Sequence, residues 1–241
     1  MIELLSEETK KQVISYHNEI LKMGRLVQGM FLKFKDAFFE KNVDLSREII
    51  KQDMRVDFIE ARLEYKSMEI LAINNLYGIY FKIVFLGNKI IGILESMADL
   101  CETMAKNNID LLSYPNSINP YQFEDLFDIS QNMLGESLRL FSNIVENRDL
   151  YMEKDAIELA KIICKTDIEV DSLYNAFKRN LMGKVTKDNF KSIMANIEIL
   201  SNLEKFSDLT TNIAEYSIFI LTGDRYKCNK EGFDIFYSLG E

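Results

Sequence analysis

The chain has 241 residues, 47% of them hydrophobic and 28% charged, with only 2 prolines and 10 glycines. That is globular composition at a length that suits one large domain or two of ordinary size, and so few chain breaks argue against an all-β architecture. A net charge of −9 with no concentrated basic face excludes nucleic acid as the main partner.

The elements follow from periodicity. Val13, Tyr16, Ile20, Met23, Val27, Met30, Phe34 and Phe38 step by three and four residues, which predicts a helix over 6–39 with one continuous core-facing stripe. Asp44 or Ser46 starts a second helix that runs to about residue 73. Asn74 and Asn75 break it, and a third helix covers 76–106. Both prolines, Pro115 and Pro120, fall in a Ser- and Asn-rich stretch near the midpoint that reads as a linker. Beyond it the same order recurs: helices over 121–145 and 151–181, a turn at 182–186 with Thr186 as N-cap, then a helix over 187–221 that ends at Gly223. The expected fold is all-α, two tandem three-helix bundles related by an internal pseudo-twofold repeat. The expected domains are 1–115 and 116–223, with a tail, 224–241, to which no structure is assigned.

The halves differ in charge. Residues 1–115 hold 15 Lys and Arg against 17 Asp and Glu, whereas the remainder holds 14 against 21. Residues 1–11 carry Glu3, Glu7 and Glu8 in place of the basic region that opens a signal peptide. The most apolar stretch, 70–93, is interrupted by Asn74, Asn75, Lys82, Asn88 and Lys89, so it reads as a buried helix pair rather than a membrane span. Cys101, Cys164 and Cys228 are far apart and form no C-x-x-C pattern. They are expected to be unpaired small apolar residues in a reducing, cytoplasmic protein.

The repeat carries acids. Residues 94–106 align with 203–215, superposing Glu95 and Asp99 on Glu204 and Asp208. On the preceding helices, 49–57 aligns with 163–171, superposing Asp53 and Asp57 on Asp167 and Asp171. In a chain with 38 acids a single i,i+4 acidic pair means little, and exposed pairs are tolerated at about 0.2–0.5 kcal/mol each. Solvated helix faces would account for them one at a time. A pair on the middle helix and a pair on the last helix of each half is a more specific arrangement. On a helical wheel Glu204, Asp208 and Glu215 fall within about 40° of one another, near Thr211. Asp167 and Asp171 border the apolar face. If neighbouring helices bring such lines together, repulsion must be relieved by protonation or by a cation. Oxygen-only ligation suits magnesium, calcium, manganese or iron better than soft-ligand zinc or copper sites. The first half is the weaker candidate, because Thr103 and Lys106 stand where the second has Asn212 and Glu215.

The stretch Leu203-Glu-Lys-Phe-Ser-Asp-Leu-Thr-Thr-Asn-Ile-Ala-Glu-Tyr, followed by an apolar run and Thr222-Gly223, and the opening Met23-Gly-Arg-Leu-Val27 with Met30, resemble the signatures of the PhoU family of phosphate-transport regulators. Lys205 replaces the family's usual Arg, and Leu76-Tyr-Gly-Ile-Tyr-Phe-Lys82 keeps only the terminal cation of its P-x-A-x-D-L-R stretch. The resemblance spans about residues 20–223. It implies metal-binding acids at Asp53, Asp57, Glu95 and Asp99 in the first bundle and at Asp167, Asp171, Glu204 and Asp208 in the second, with Asn212 and Glu215 joining by motif. It implies a divalent or multinuclear metal, with iron, zinc, manganese or magnesium as candidates. It further implies a cytoplasmic negative regulator of the phosphate-starvation response. Its partners would be the ATPase subunit of the phosphate ABC transporter and a membrane sensor histidine kinase, with peripheral membrane association through them, and it would form a homodimer. The alternative is a purely structural helical adaptor of a phosphate carrier with no metal site.

No catalytic activity is expected. His17 is the only histidine, no acid precedes it by three residues as a di-iron oxidase site requires, and no phosphate-binding glycine loop is present.

Overall fold

A computed structural model describes residues 5–114, 119–146, 153–229 and 232–238. Six long helices dominate: α1 Glu7–Phe39, α2 Val43–Ile73, α3 Gly78–Leu112, α4 Glu124–Glu146, α5 Glu153–Gly183 and α6 Phe190–Thr222. Side-chain caps close the first two helices, the second at Asn42 and not at the expected Asp44 or Ser46. Ser6 accepts from the Thr9 N–H, and Asn42 accepts from the Asp44 and Leu45 N–H groups. The break expected at Asn74 ends α2 there. Gly223, at φ +85°, ends α6 in the left-handed conformation that glycine adopts without steric cost.

Helices α1–α3 pack on one another, as do α4–α6, and the two groups join through α3 against α6 and α1 against α4. The fold is therefore two tandem three-helix bundles, as expected. Between them the core is continuous. Phe31 stacks on Phe206 at 4.4 Å between ring centres, and Phe34 and Phe38 both meet Phe127. Gly24 permits the α1–α4 approach, since a Cβ there would stand 2.5 Å from Leu138 Cδ2. His17 is fully buried, its ring against Phe141 and its Nε2 2.9 Å from the Phe141 carbonyl oxygen. It is a packing residue that ties α1 to α4.

Several boundaries differ from the sequence reading. A single 3-10 turn, Pro120–Phe123, precedes α4. Thr186 does not cap α6. Its N–H donates to Asn189 Oδ1 at 2.7 Å in the preceding turn, and α6 starts at Phe190. The linker residues 115–118, including the boundary drawn at 115/116, lie outside the described residues, as does the start of α5 expected at residue 151.

The tail has structure after all. Strands β1 Arg225–Asn229 and β2 Gly232–Tyr237 form an antiparallel hairpin, β1 lying on α6 and both strands reaching α5. Phe233 is buried, and Tyr226 stacks on it at 5.1 Å. Each strand is too short for a clear alternation, and what holds the hairpin is its docking on helices distant in sequence. That docking also corrects the cysteine expectation. Cys164 on α5 and Cys228 on β1 are disulfide-bonded, with Cα atoms 5.6 Å apart across 64 residues of sequence, so the spacing argument for three unpaired thiols fails for two of them. Cys101 remains free and buried.

Among the described residues no helix is long and apolar enough to cross a membrane. The apolar stretch 70–93 spans the α2–α3 junction. It buries Ile70, Ile83, Val84, Leu86, Ile90 and Ile91 in the core but leaves Ile73, Phe81 and Phe85 exposed.

Candidate metal centres in two acidic grooves

Because α2 runs antiparallel to α3, and α5 to α6, the acidic lines of each pair face across a groove. In the first groove Asp53, Asp57 and Asp99 offer carboxylate oxygens that all lie within 4.8 Å of one another. In the second, Asp171, Glu204 and Asp208 do the same. Six of the ten expected residues are thus brought into two groups of three, one per bundle.

Two more stand beside them. Asp167 is pushed up to about 7, first by burial and then by the charges of Asp208, Asp171 and Glu204. Glu95 is raised by burial and then by Asp99. Asp53, only 8% exposed, is raised to about 6 by burial and by Asp57, Asp99, Glu102 and Glu95. Asp99, Glu204 and Asp208 move the same way, burial leading and a neighbouring carboxylate following. Each group is a set of acids partly removed from water and crowded by its own kind.

The remaining two are placed differently. Asn212 donates from its amide to the Asp208 carbonyl at 3.3 Å. Glu215 is buried, and its carboxylate accepts from the Cys228 N–H at 2.9 Å and pairs with Lys227. It anchors the hairpin and is not among the grouped acids. The helical wheel put it in line with Glu204 and Asp208, but a line about three turns long passes under different neighbours at its two ends.

The sequence reading missed Glu60. It is raised to about 7 by burial, Glu95, Glu64, Asp57 and Asp99, which places it in the first groove. Its signal was its position one turn beyond Asp57 on α2. It went unread because the aligned residue of the second half is Tyr174, so the repeat did not mark it.

The donor set fits a hard cation. Every grouped side chain is a carboxylate, Asp53 Oδ1 and Asp167 Oδ1 are buried with no hydrogen-bond partner, and no ion pair reaches the six grouped acids among the described residues. A buried, unpartnered carboxylate oxygen is costly, and a bound cation supplies the missing charge.

Fold and site together define a class: helical tandem-repeat proteins that carry a carboxylate groove in each repeat. The PhoU domain model matches residues 20–107 and again 123–217. The chain is 26% identical over its whole length to the phosphate-specific transport system accessory protein PhoU homolog 2 of Thermotoga maritima, covering 97% of that protein. With the Aquifex aeolicus PhoU homolog it shares 30% identity over 92% of this chain and 93% of the relative. Crystal structures of PhoU from Streptococcus pneumoniae and Pseudomonas aeruginosa share the fold. Their TM-scores are 0.78 and 0.79 at 21% and 20% identity, over 91% and 89% of this chain and 99% of each of theirs. The chain belongs to the PhoU family.

Proposed function

We propose that this chain is a regulatory accessory of phosphate transport that works by binding, with no chemical step of its own. It holds divalent or multinuclear metal ions in two grooves, through Asp53, Asp57, Glu95 and Asp99 in one and Asp167, Asp171, Glu204 and Asp208 in the other. The relatives' names, phosphate-specific transport accessory proteins, support the setting. The observation that carries the metal reading is the convergence, in both repeats, of carboxylates, several of them raised by burial and mutual repulsion, with no ion pair to any of the six grouped acids among the described residues. A bound cation would neutralise each groove and stiffen the contact between its two helices. In this reading the protein sits in the cytoplasm as a homodimer. It docks on the ATPase subunit of a phosphate ABC transporter and on a sensor histidine kinase, reaches the membrane only through them, and restrains the phosphate-starvation response.

Elemental analysis of protein purified without chelator tests the metal. Metal is expected in the parent and reduced in Asp208→Asn and Asp53→Asn, each lowering the content of its own groove. Equal content in parent and variants, or none in any, removes the metal and leaves a helical adaptor. Deleting the gene is expected to raise phosphate-starvation outputs in phosphate-rich medium, and unchanged outputs would refute the regulatory role.

A further inference from the structure

Helix α2 has two apolar faces. One, with Ile49, Val56, Leu63 and Ile70, is buried in the bundle. The other is Met54, Phe58, Ala61, Tyr65, Met68 and Ala72, spaced four, three, four, three and four residues apart, and it lies in solvent. Met54 and Phe58 are 70% exposed, Tyr65 71% and Met68 59%, and both alanines are exposed. Strict four-three spacing is the pattern of a coiled-coil seam, which a helix needs only when another helix covers it. The fold does not require it, because the aligned positions read Ile168, Ser172, Asn175, Arg179 and Met182 on α5 and Thr186 in the turn beyond it. The repeat therefore supplies its own control, with the same helix in the same bundle and no continuous seam.

We propose that this seam is a homodimer interface in which α2 packs antiparallel against α2 of a second copy. The homodimer is part of the reading given above, and the interface is new to it. Antiparallel order is favoured by size. It sets Met54 against Ala72 of the second copy, Phe58 against Met68 and Ala61 against Tyr65, so each large side chain above an alanine fills the space that alanine leaves. Parallel order would stack alanine on alanine and tyrosine on tyrosine, leaving voids beside clashes.

Charge on one flank agrees. Arg55 and Glu69 occupy equivalent flanking positions of the seam, and antiparallel packing brings Arg55 of each copy to Glu69 of the other, making two ion pairs. Among the described residues neither has an ion-pair partner in its own chain. Arg62 would meet its own copy near the twofold axis, but it is already held by Glu19 at 2.6 Å. Glu64 also meets its copy there, a like-charge contact at the solvated rim that costs little. Taking ~150–250 Å² for each of the four large side chains at the exposures above, the seam presents roughly 500 Å². With the flanking stems this approaches the ~800 Å² per partner of a standard interface. Asp57 adjoins Phe58, so the interface and the first acidic groove share one helix.

Sedimentation equilibrium of the full chain tests the proposal. A dimer is expected for the parent. Phe58→Glu and Tyr65→Glu are expected to weaken association roughly tenfold or more, with far-UV circular dichroism unchanged because both side chains are in solvent. Arg55→Glu and Glu69→Arg should each weaken it about two- to fivefold, and the double exchange should restore it. A parent that stays monomeric up to high micromolar concentration overturns the proposal, as does a dimer indifferent to Phe58→Glu and Tyr65→Glu. A double exchange no better than the single ones overturns the antiparallel order. Metal content reports on the grooves alone, so either reading can fall while the other stands.

Discussion

The two acidic grooves come from one repeat and end differently. In the first, Lys106 occupies the step aligned with Glu215 and pairs along its own helix with Glu102 at 2.5 Å. In the second, Glu215 occupies that step, is 7% exposed, and receives its cation from Lys227 on the C-terminal hairpin, together with the Cys228 N–H. A charge that one bundle settles within a helix is settled in the other by a segment from outside the bundle. The hairpin thereby becomes a structural part of the second groove's far end, fastened also by Cys164–Cys228. The two halves share the acids that face across each groove and differ at the positions two turns away.

The comparison can be broken at its sharpest point. Lys227→Ala leaves Glu215 buried without its counter-charge and is expected to cost about 3 kcal/mol, read as loss of hairpin protection in hydrogen exchange and a lower urea midpoint. Lack of any effect would mean that the hairpin does not depend on Glu215.

Next in size is the pH dependence of the metal-free protein. Asp53, Glu60 and Asp167 are raised to about 6, 7 and 7 in the fold from ordinary values of 3.8, 4.5 and 3.8. Between those limits the folded state binds more protons than the unfolded one, so stability is fullest below about pH 4 for these groups and falls as pH rises to about 7. Urea unfolding in chelator is expected to show this decline. Asp167→Asn should flatten the part contributed by the second groove and Asp53→Asn part of that from the first. Added manganese should remove most of the slope in the parent. A flat profile in chelator would show that the acids do not repel as their crowding requires.

The smallest expected effect belongs to the first groove. Lys106→Ala breaks an i,i+4 pair with a half-exposed lysine and should change stability by less than about 0.5 kcal/mol. If it matched Lys227→Ala, the difference drawn between the grooves would disappear.

Much of this was legible beforehand, for local reasons. Helix length and phase follow from three-and-four spacing, the end of α6 from Gly223, and the break after α2 from Asn74. The facing acids were legible because the repeat printed them twice. Glu60 was not, since the second half has Tyr174 there, and the start of α6 was misplaced because Asn189 draws Thr186 into a turn instead of leaving it to cap. The seam on α2 lies in plain sequence. Only the burial of the opposite stripe, however, shows which of the helix's two apolar faces is left in solvent.

The residues themselves thus determined six amphipathic helices in two similar sets and the acids on their inner edges, because hydrophobic phase and repeat are properties of neighbours along the chain. Tertiary structure alone decided that Phe31 meets Phe206, that Glu215 serves the hairpin rather than the groove, and that Cys164 finds Cys228. Those contacts join residues from 13 to 175 positions apart, whose pairing depends on how the helices pack and carries no local signature.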